Sequence, residues 1–186
     1  MENMLLTDCM VDLETTGVTP DRSGILQIAA VKFNLNDRTV SPDFFNASLD
    51  LPAHRHWDMD TLAWWKKDKK AVLQDIMASA KPWRDVILEF NNWLYVTPNL
   101  KFWSKPTHFD YMFLASYFRD NNMLNPFHYN NCNDMKSFLE GIHYPNPVPK
   151  IEVETVGAAH NALNDCFWQL KTVFAHLDYI AEKNNV

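Results

Sequence analysis

Two carboxylates stand two positions apart in the stretch MVDLETTG, residues 10–17. Its apolar texture predicts a buried strand, on which Asp12 and Glu14 point to one face while Val11 and Leu13 point to the other. Two anions on one face of such a strand repel each other and lose hydration. A divalent cation, an arginine or solvent exposure could each offset this cost.

Two further aspartates fall at predicted helix starts. Asp110, in THFDYMFLASYF, opens a helix just after a strand, and Asp165, in HNALNDCFWQL, lies in the first turn of the final helix. The helix dipole alone could explain either residue, as an N-cap or a first-turn acid. Together with Asp12 and Glu14, they could instead bring four carboxylates to one edge of a sheet.

Such a set of oxygen ligands suits Mg²⁺ or Mn²⁺. Two ions about 3.5–4 Å apart would hold the attacking water and the leaving oxygen of a phosphodiester. A site of this kind also needs a base. His160 precedes Asp165 by five residues, so on one helix the two would point about 140° apart.

A loop position for His160, with Asn161 as the helix N-cap, removes that difficulty. The histidine could then reach the metals and take a proton from water near neutral pH. The alternative is an ordinary surface histidine, since the chain has seven.

The strands that would position these residues follow from the apolar pattern. CMVDLET predicts a first strand, and GILQIAAVKFNLNDRTVSPDFFNASLDL predicts two more, with Asn36 and Asp37 in the turn between them. LKFWS predicts a fourth strand. FHYNNCND predicts a strand or extended segment that leads into a short helix.

Helices are predicted between and after these strands. MDTLAWWKKDKKAVLQDIMASA reads as helical with Asp60 as N-cap, Pro82 suits the first turn of the next helix, and DYMFLASYFRDNN gives another. The final helix follows a proline-rich loop, YPNPVPK, and repeats apolar residues at helical spacing: Leu163, Phe167, Leu170, Phe174 and Leu177. This order predicts an α/β domain with a mixed sheet.

Length and composition indicate one globular domain, residues 1–186, with 47% hydrophobic and 22% charged residues. The sequence lacks a membrane-spanning run and the pattern of a secretion signal. Three widely separated cysteines suit free thiols in a reducing cytoplasm. The net charge of −6 argues against coating duplex DNA, but it allows an enzyme that grips a few nucleotides at a chain end.

Three segments, MVDLETTG, HFDYMFL and HNALNDC, resemble the motifs of the DEDDh 3′→5′ exonucleases, the DnaQ-like and RNase T superfamily. The H-x4-D spacing of His160 and Asp165 matches the histidine subclass. DTLAWWKKD and the pair Asn133–Asp134 resemble a narrower branch, which contains phage exodeoxyribonuclease A and the RNase AS enzymes. Asp134 has a second interpretation, as a helix N-cap.

The resemblance implies a ribonuclease H-like fold, with a mixed central sheet of about five strands flanked by helices. It implies that Asp12, Glu14 and Asp165 hold the catalytic metal, that Asp12 also bridges to a second ion, and that Asp110 holds that second ion. His160 would activate the water that releases nucleoside 5′-monophosphates from a 3′ end. The expected cofactors are two divalent cations, Mg²⁺ or Mn²⁺.

Substrate contacts are predicted from two segments. In relatives, the positions matching Thr15, Thr16 and Gly17 approach the terminal sugar. Trp64 and Trp65 are adjacent and point to different sides of a helix, so we expect one in the core and Trp64 to stack on a base. The lysines nearby could contact the strand or form a solvated helix face: Lys66, Lys67, Lys69 and Lys70.

The expected substrate is a single-stranded 3′ end. The resemblance to phage exodeoxyribonuclease A favours DNA slightly over RNA, and a homodimer is open because some relatives form one. Two alternatives are an inactive nucleic-acid-binding module and a proofreading subunit that docks on a polymerase. The complete set of ligand and base positions argues against the first, and the lack of an obvious docking tail argues against the second.

Overall fold

The apolar stretch around Asp12 and Glu14 forms the central strand of a sheet. The computed structural model describes residues 5–155, 157 and 160–184. The strands are β1 (Asp8–Thr15), β2 (Ile25–Phe33), β3 (Val40–Ser48), β4 (Lys101–Ser104) and β5 (Cys132–Asp134). The helices are α1 (Met59–Asp68), α2 (Lys70–Ala78), α3 (Trp83–Tyr95), α4 (Thr107–Asp120), α5 (Met135–His143) and α6 (Ala162–Asn184), with a single 3-10 turn at Tyr129–Asn131.

The strand order is β3-β2-β1-β4-β5. β1 pairs antiparallel with β2, β2 pairs antiparallel with β3, and β4 runs parallel to both β1 and β5. The mixed sheet of five strands flanked by helices confirms the predicted ribonuclease H-like fold. Because β1 and β4 are parallel, their carboxyl ends meet at the same edge of the sheet, where ligands bind in open α/β folds.

The two faces of β1 contact different apolar layers. Cys9, Val11 and Leu13 pack with α3 and α4, whereas Met10 packs with α5 and α6. Side chains alternate along a strand, so Asp12 and Glu14 lie on the face that α6 covers. This alternation is what brings the carboxylates of β1 towards Asp165.

The predicted turn at Asn36 and Asp37 is confirmed, and so is the N-cap role of Asp134, which accepts a hydrogen bond from the backbone N–H of Ser137 at 2.8 Å. The prediction of Asp60 as N-cap was wrong. Asp58 caps α1 instead, because its carboxylate accepts the backbone N–H of Thr61 at 2.9 Å. Asp60 lies in the first turn of the helix.

The predicted single helix after Asp60 is in fact two helices, separated at Lys69, whose φ of −137° and ψ of 28° depart from helical values. All three cysteines are free thiols, as expected. In the part of the chain that the structure describes, no helix has the length and apolarity to cross a membrane.

Candidate active site

The four acidic residues singled out in the sequence lie at the carboxyl ends of β1 and β4 and at the first turns of two helices. Glu14 is 7% exposed and Asp110 is 3% exposed, while Asp12 and Asp165 are half-buried. Asp110 and Asp165 both lie in first turns, as predicted. The charges of Asp110 and Asp165 raise the pKa values of both Asp12 and Glu14, as described below.

His160 lies just before α6, in the loop position that the sequence predicted. Its backbone has a φ of 64°, in the left-handed region, and its N–H donates to Oδ2 of Asp165 at 3.0 Å. The side-chain oxygen of Asn161 accepts the N–H of Asn164 at 3.4 Å, which fits the predicted capping role. This turn directs the imidazole towards the carboxylates.

Glu14, His160 and Asp165 each present a ligand atom within 4.8 Å of the other two. Among the described residues, this is the group of three or more that could hold a metal ion. The donor set of carboxylate oxygens and an imidazole suits a divalent cation. Asp12 and Asp110 lie outside this group; the charge of Asp110 acts on Glu14, and the charges of Glu14 and Asp165 act on Asp12.

Burial dominates the electrostatics of the two strand carboxylates. It raises the pKa of Glu14 to about 8, helped by the charges of Asp165 and Asp110 and opposed by Lys69. The pKa of Asp12 is raised well above its ordinary value by burial and then by the charges of Asp110, Glu14 and Asp165.

Burial also has the largest effect on the pKa values of the two helix aspartates. Burial raises the pKa of Asp110 to about 7, against hydrogen bonds from the Ser104 side chain and the Leu13 backbone. It also raises the pKa of Asp165, opposed by the backbone N–H and the charge of His160. For His160 itself, burial and then the charge of Lys69 lower the pKa, which favours the neutral imidazole.

No ion pair of the described residues involves Asp12, Glu14, Asp110 or Asp165. The arginine explanation for the strand pair thus finds no support among the described residues, and the burial of Glu14 argues against open solvent for that residue. A bound cation would keep these carboxylates ionised together near neutral pH.

Gln169 is a site residue that the sequence reasoning missed. Its Nε2 donates to Oδ1 of Asp12 at 2.7 Å, and its buried Oε1 has no hydrogen-bond partner among the described residues. The signal was present, because Gln169 follows Asp165 by four residues and so shares its helix face. The unpartnered oxygen beside Asp12 fits a site built for a hydrated cation, whose waters could donate to it.

The two tryptophans divide as expected between core and surface. Trp65 is 1% exposed. Its Nε1 donates to the carbonyl oxygen of Thr15 at 3.1 Å, and this hydrogen bond connects α1 to the end of β1. Trp64 is 37% exposed, and its ring meets the imidazole of His160 edge-on, with centroids 4.9 Å apart. Trp64 therefore borders the acidic group.

The loop after β1 is more deeply buried than the sequence suggested. Thr16 is fully buried; its hydroxyl donates to the His56 carbonyl oxygen and accepts the N–H of Gly24. The Thr16 side chain therefore supports the loop from within, and the approach of this segment to the terminal sugar stays a prediction. Thr15 and Gly17 are also buried, and the Thr15 hydroxyl donates to the Gly17 carbonyl oxygen at 2.8 Å.

Gly17 is required by the space around it. A Cβ at this position would lie 2.5 Å from Oγ of Ser23 and 2.7 Å from Cβ of Asp58. The loop can therefore pass close beneath the site only without a side chain here.

A cavity of about 420 Å³ adjoins the acidic group on the side of β2 and β3. Its wall includes Val72 and Ile76 of α2, Asn161 ahead of α6, and Gln27. Gln27 is paired with Glu14 across the strands, and its Oε1 accepts the N–H of Ala162 at 3.1 Å. Gln27 thereby fixes where α6 begins relative to Glu14.

Comparison with solved structures supports the fold. E. coli exonuclease I in complex with a dA16 oligonucleotide superposes with a TM-score of 0.68 at 13% identity, covering 96% of this chain and 42% of that chain. A zinc-bound complex of E. coli exonuclease I with single-stranded DNA gives 0.68 at 16% identity, covering 96% of this chain and 42% of that chain. Cell-death related nuclease 4 (CRN-4) gives 0.60 at 15% identity, covering 94% and 64%.

This chain thus spans about two-fifths of the length of exonuclease I, and the likeness establishes the fold alone. No curated protein matches the sequence significantly. A model of one protein family, described as the 3′-5′ exoribonuclease Rv2179c-like domain, matches residues 7–177. The match includes all five of the predicted acidic and histidine positions, and the chain belongs to this Rv2179c-like family of 3′–5′ exoribonuclease domains.

Proposed function

We propose that this protein is a metal-dependent 3′→5′ exonuclease, which removes nucleotides from single-stranded 3′ ends and releases nucleoside 5′-monophosphates. The observation that carries the proposal is the set of four buried or half-buried carboxylates without an ion-pair partner among the described residues, with His160 beside Glu14 and Asp165. Membership of the exoribonuclease domain family supports the same reaction.

In this mechanism Asp12, Glu14 and Asp165 would hold one divalent cation, Mg²⁺ or Mn²⁺, and Asp110 together with Asp12 would hold a second. The bound ions would neutralise the carboxylates and polarise the phosphodiester. Gln169 keeps the Asp12 carboxylate oriented through its 2.7 Å hydrogen bond.

His160 serves as the base that takes a proton from the attacking water. Its lowered pKa supports this role, because the imidazole is then neutral and able to accept a proton at physiological pH. The hydrogen bond from its own backbone N–H to Asp165 holds the loop in position.

We assign substrate binding to Trp64, which is exposed beside His160 and offers a stacking surface for a base. Thr15 and Gly17 form the floor over which the terminal sugar would lie, and Thr16 supports that floor from within. Two observations point to different sugars in the substrate, ribose and deoxyribose. The family description names ribonucleases, whereas the exonuclease I complexes contain oligodeoxynucleotides, and the resemblance to phage exodeoxyribonuclease A favours DNA slightly.

The test is a gel assay with 5′-labelled single-stranded DNA and RNA of matched sequence, in Mg²⁺, Mn²⁺ or EDTA. We expect a ladder that shortens from the 3′ end, depends on metal and is absent with Asp12→Ala. The faster substrate defines the sugar preference, which depends on contacts to the 2′-hydroxyl. If both strands bind and neither is cut, the protein is a nucleic-acid-binding module and not an enzyme.

A further inference from the structure

Lys69 lies at the junction between α1 and α2. Although its backbone leaves helical values, its N–H donates to the Trp65 carbonyl oxygen at 3.0 Å and its carbonyl oxygen accepts the N–H of Leu73 at 3.0 Å. Lys69 therefore ends α1 through its N–H and begins α2 through its carbonyl oxygen. The residues on either side of this junction locate Lys69 relative to the acidic group.

The neighbours of Lys69 in α1 lie beside the acidic group, since Trp64 meets the ring of His160 and Trp65 bonds to the end of β1. Four residues before Lys69, Trp65 is bonded to the carbonyl oxygen of Thr15, immediately after Glu14 on the chain. Three residues after it, Val72 lines the cavity beside Asn161, which follows His160. Lys69 thus lies between a residue bonded to the end of β1 and a residue that lines the cavity beside the start of α6.

Lys69 differs from the neighbouring lysines in its surroundings. Lys66, Lys67 and Lys70 are exposed, whereas Lys69 is half-buried. Burial has the largest effect on the pKa values of Glu14, Asp165 and His160, and the charge of Lys69 lowers all three. The ammonium group is therefore near these side chains.

Despite this proximity, Lys69 forms no ion pair within 4.0 Å with any described residue. A lysine beside several carboxylates but out of contact with them leaves its three donors available. Once cations neutralise the carboxylates, the ammonium would face the site as a compact positive charge. Its chemistry then suits one more anionic group, a phosphate.

We propose that Lys69 binds the phosphate of the 3′-terminal nucleotide, the group that leaves as the 5′-phosphate of the released mononucleotide. This inference rests on the proposed function, because it assigns a contact within that reaction. It separates Lys69 from the three exposed lysines, which are assigned no contact with the terminal phosphate.

The test measures binding of adenosine 5′-monophosphate and of adenosine by calorimetry, in the presence of Mg²⁺. The proteins are the wild type, Lys69→Ala, Lys69→Met and the matched control Lys67→Ala. Lys69→Met keeps most of the aliphatic stem, so it separates loss of charge from loss of packing. Melting curves of each variant verify that it is folded.

We expect both Lys69 variants to weaken binding of the monophosphate by roughly tenfold or more, the range for a hydrogen bond to a charged group. Adenosine affinity, and both affinities of Lys67→Ala, should match the wild type. The proposal is overturned if Lys69→Met binds the monophosphate as the wild type does, if adenosine binding falls equally, or if the wild type does not bind the monophosphate. None of these readouts needs turnover, so they are independent of whether the gel assay detects an exonuclease.

Discussion

Four carboxyl groups and one imidazole gather around the end of β1, and within the described part of the chain they have no ion-pair partner. The raised pKa values of Glu14 and Asp110, about 8 and about 7, express the free energy needed to ionise both in the absence of a cation. Such a group of carboxylates does not by itself stabilise the folded protein. The arrangement is typical of a site that is completed by a ligand.

Some of these side chains were predictable from the sequence and some were not. Asp12 and Glu14 could be assigned to one face because strand alternation is a local rule. Gln169 and Lys69 depend on how α6 and the α1–α2 junction pack against β1, and local patterns do not encode that packing. Trp64 and Trp65 could be divided between surface and core because adjacent residues point to different sides of a helix.

Replacing His160 tests the base. His160→Ala should lower kcat by about 10²–10⁴, the usual contribution of a positioned base, because the attacking water then loses its proton acceptor. Single-turnover kinetics and Mn²⁺ titration check this, with metal affinity largely retained through the carboxylates. A variant that turns over at the wild-type rate would exclude His160 from the chemical step.

Replacing Trp64 tests the stacking surface. Trp64→Ala should weaken binding of single-stranded oligonucleotides by about 1–3 kcal/mol, the range for loss of one base–aromatic stack. Binding is measured by fluorescence anisotropy in EDTA to prevent cleavage. Tyr95→Ala, at another exposed aromatic residue, is the control and should bind normally. Equal affinities for the two variants would contradict the stacking role.

At the scale of elements, strands and helices were predictable wherever the pattern was local. The strand alternation, the turn at Asn36 and the cap at Asp134 all depend on neighbouring residues. The start of α1 was not predictable, because Asp58 and Asp60 both lie ahead of the helical pattern. Which of the two becomes the N-cap depends on the loop that precedes the helix. There the N–H of Asp58 donates to the Thr16 carbonyl oxygen.

Replacing Asp134 tests whether this residue has a structural or a catalytic role. Its carboxylate accepts the N–H groups of Ser137 and Thr107, so it joins the starts of α5 and α4. Asp134→Ala should destabilise the protein by about 1 kcal/mol, or roughly 2–4 °C in melting temperature. Asp134→Asn should recover most of this, since asparagine caps as well as aspartate. Calorimetry measures both, and kcat should be unchanged; a large fall in kcat with normal stability would place Asp134 in the reaction.

At the scale of the whole molecule, the order β3-β2-β1-β4-β5 explains how residues far apart in the chain meet, such as Asp12 and Gln169, which are 157 positions apart. β1 is central, so α6 on one face and the α4 start beyond β4 both reach its carboxyl end. The sequence predicted the mixed sheet from the order of its elements. The depth of burial of Thr16 was not predictable, because it depends on contacts with residues around His56 that are distant along the chain.

Burial of the acidic group also links the stability of the metal-free protein to pH. Folding raises the pKa of Glu14 from about 4.3 to about 8, so between these values the folded state binds more protons than the unfolded state. The contribution of Glu14 to the free energy of unfolding therefore decreases as pH rises from about 4 to 8. A bound divalent cation should reverse the loss, because it requires the ionised carboxylate.

Glu14→Gln isolates this contribution, since it keeps the shape of the side chain and cannot ionise. In EDTA, the variant and the wild type should be most similar in stability near pH 4, and the variant should become progressively the more stable of the two as pH approaches 8. Urea unfolding at a series of pH values measures the difference, and adding Mg²⁺ at pH 8 should stabilise the wild type more than the variant. If the free energies of unfolding of the two proteins change in parallel across this pH range, folding does not raise the pKa of Glu14. The carboxylate group would then lose its interpretation as a metal site.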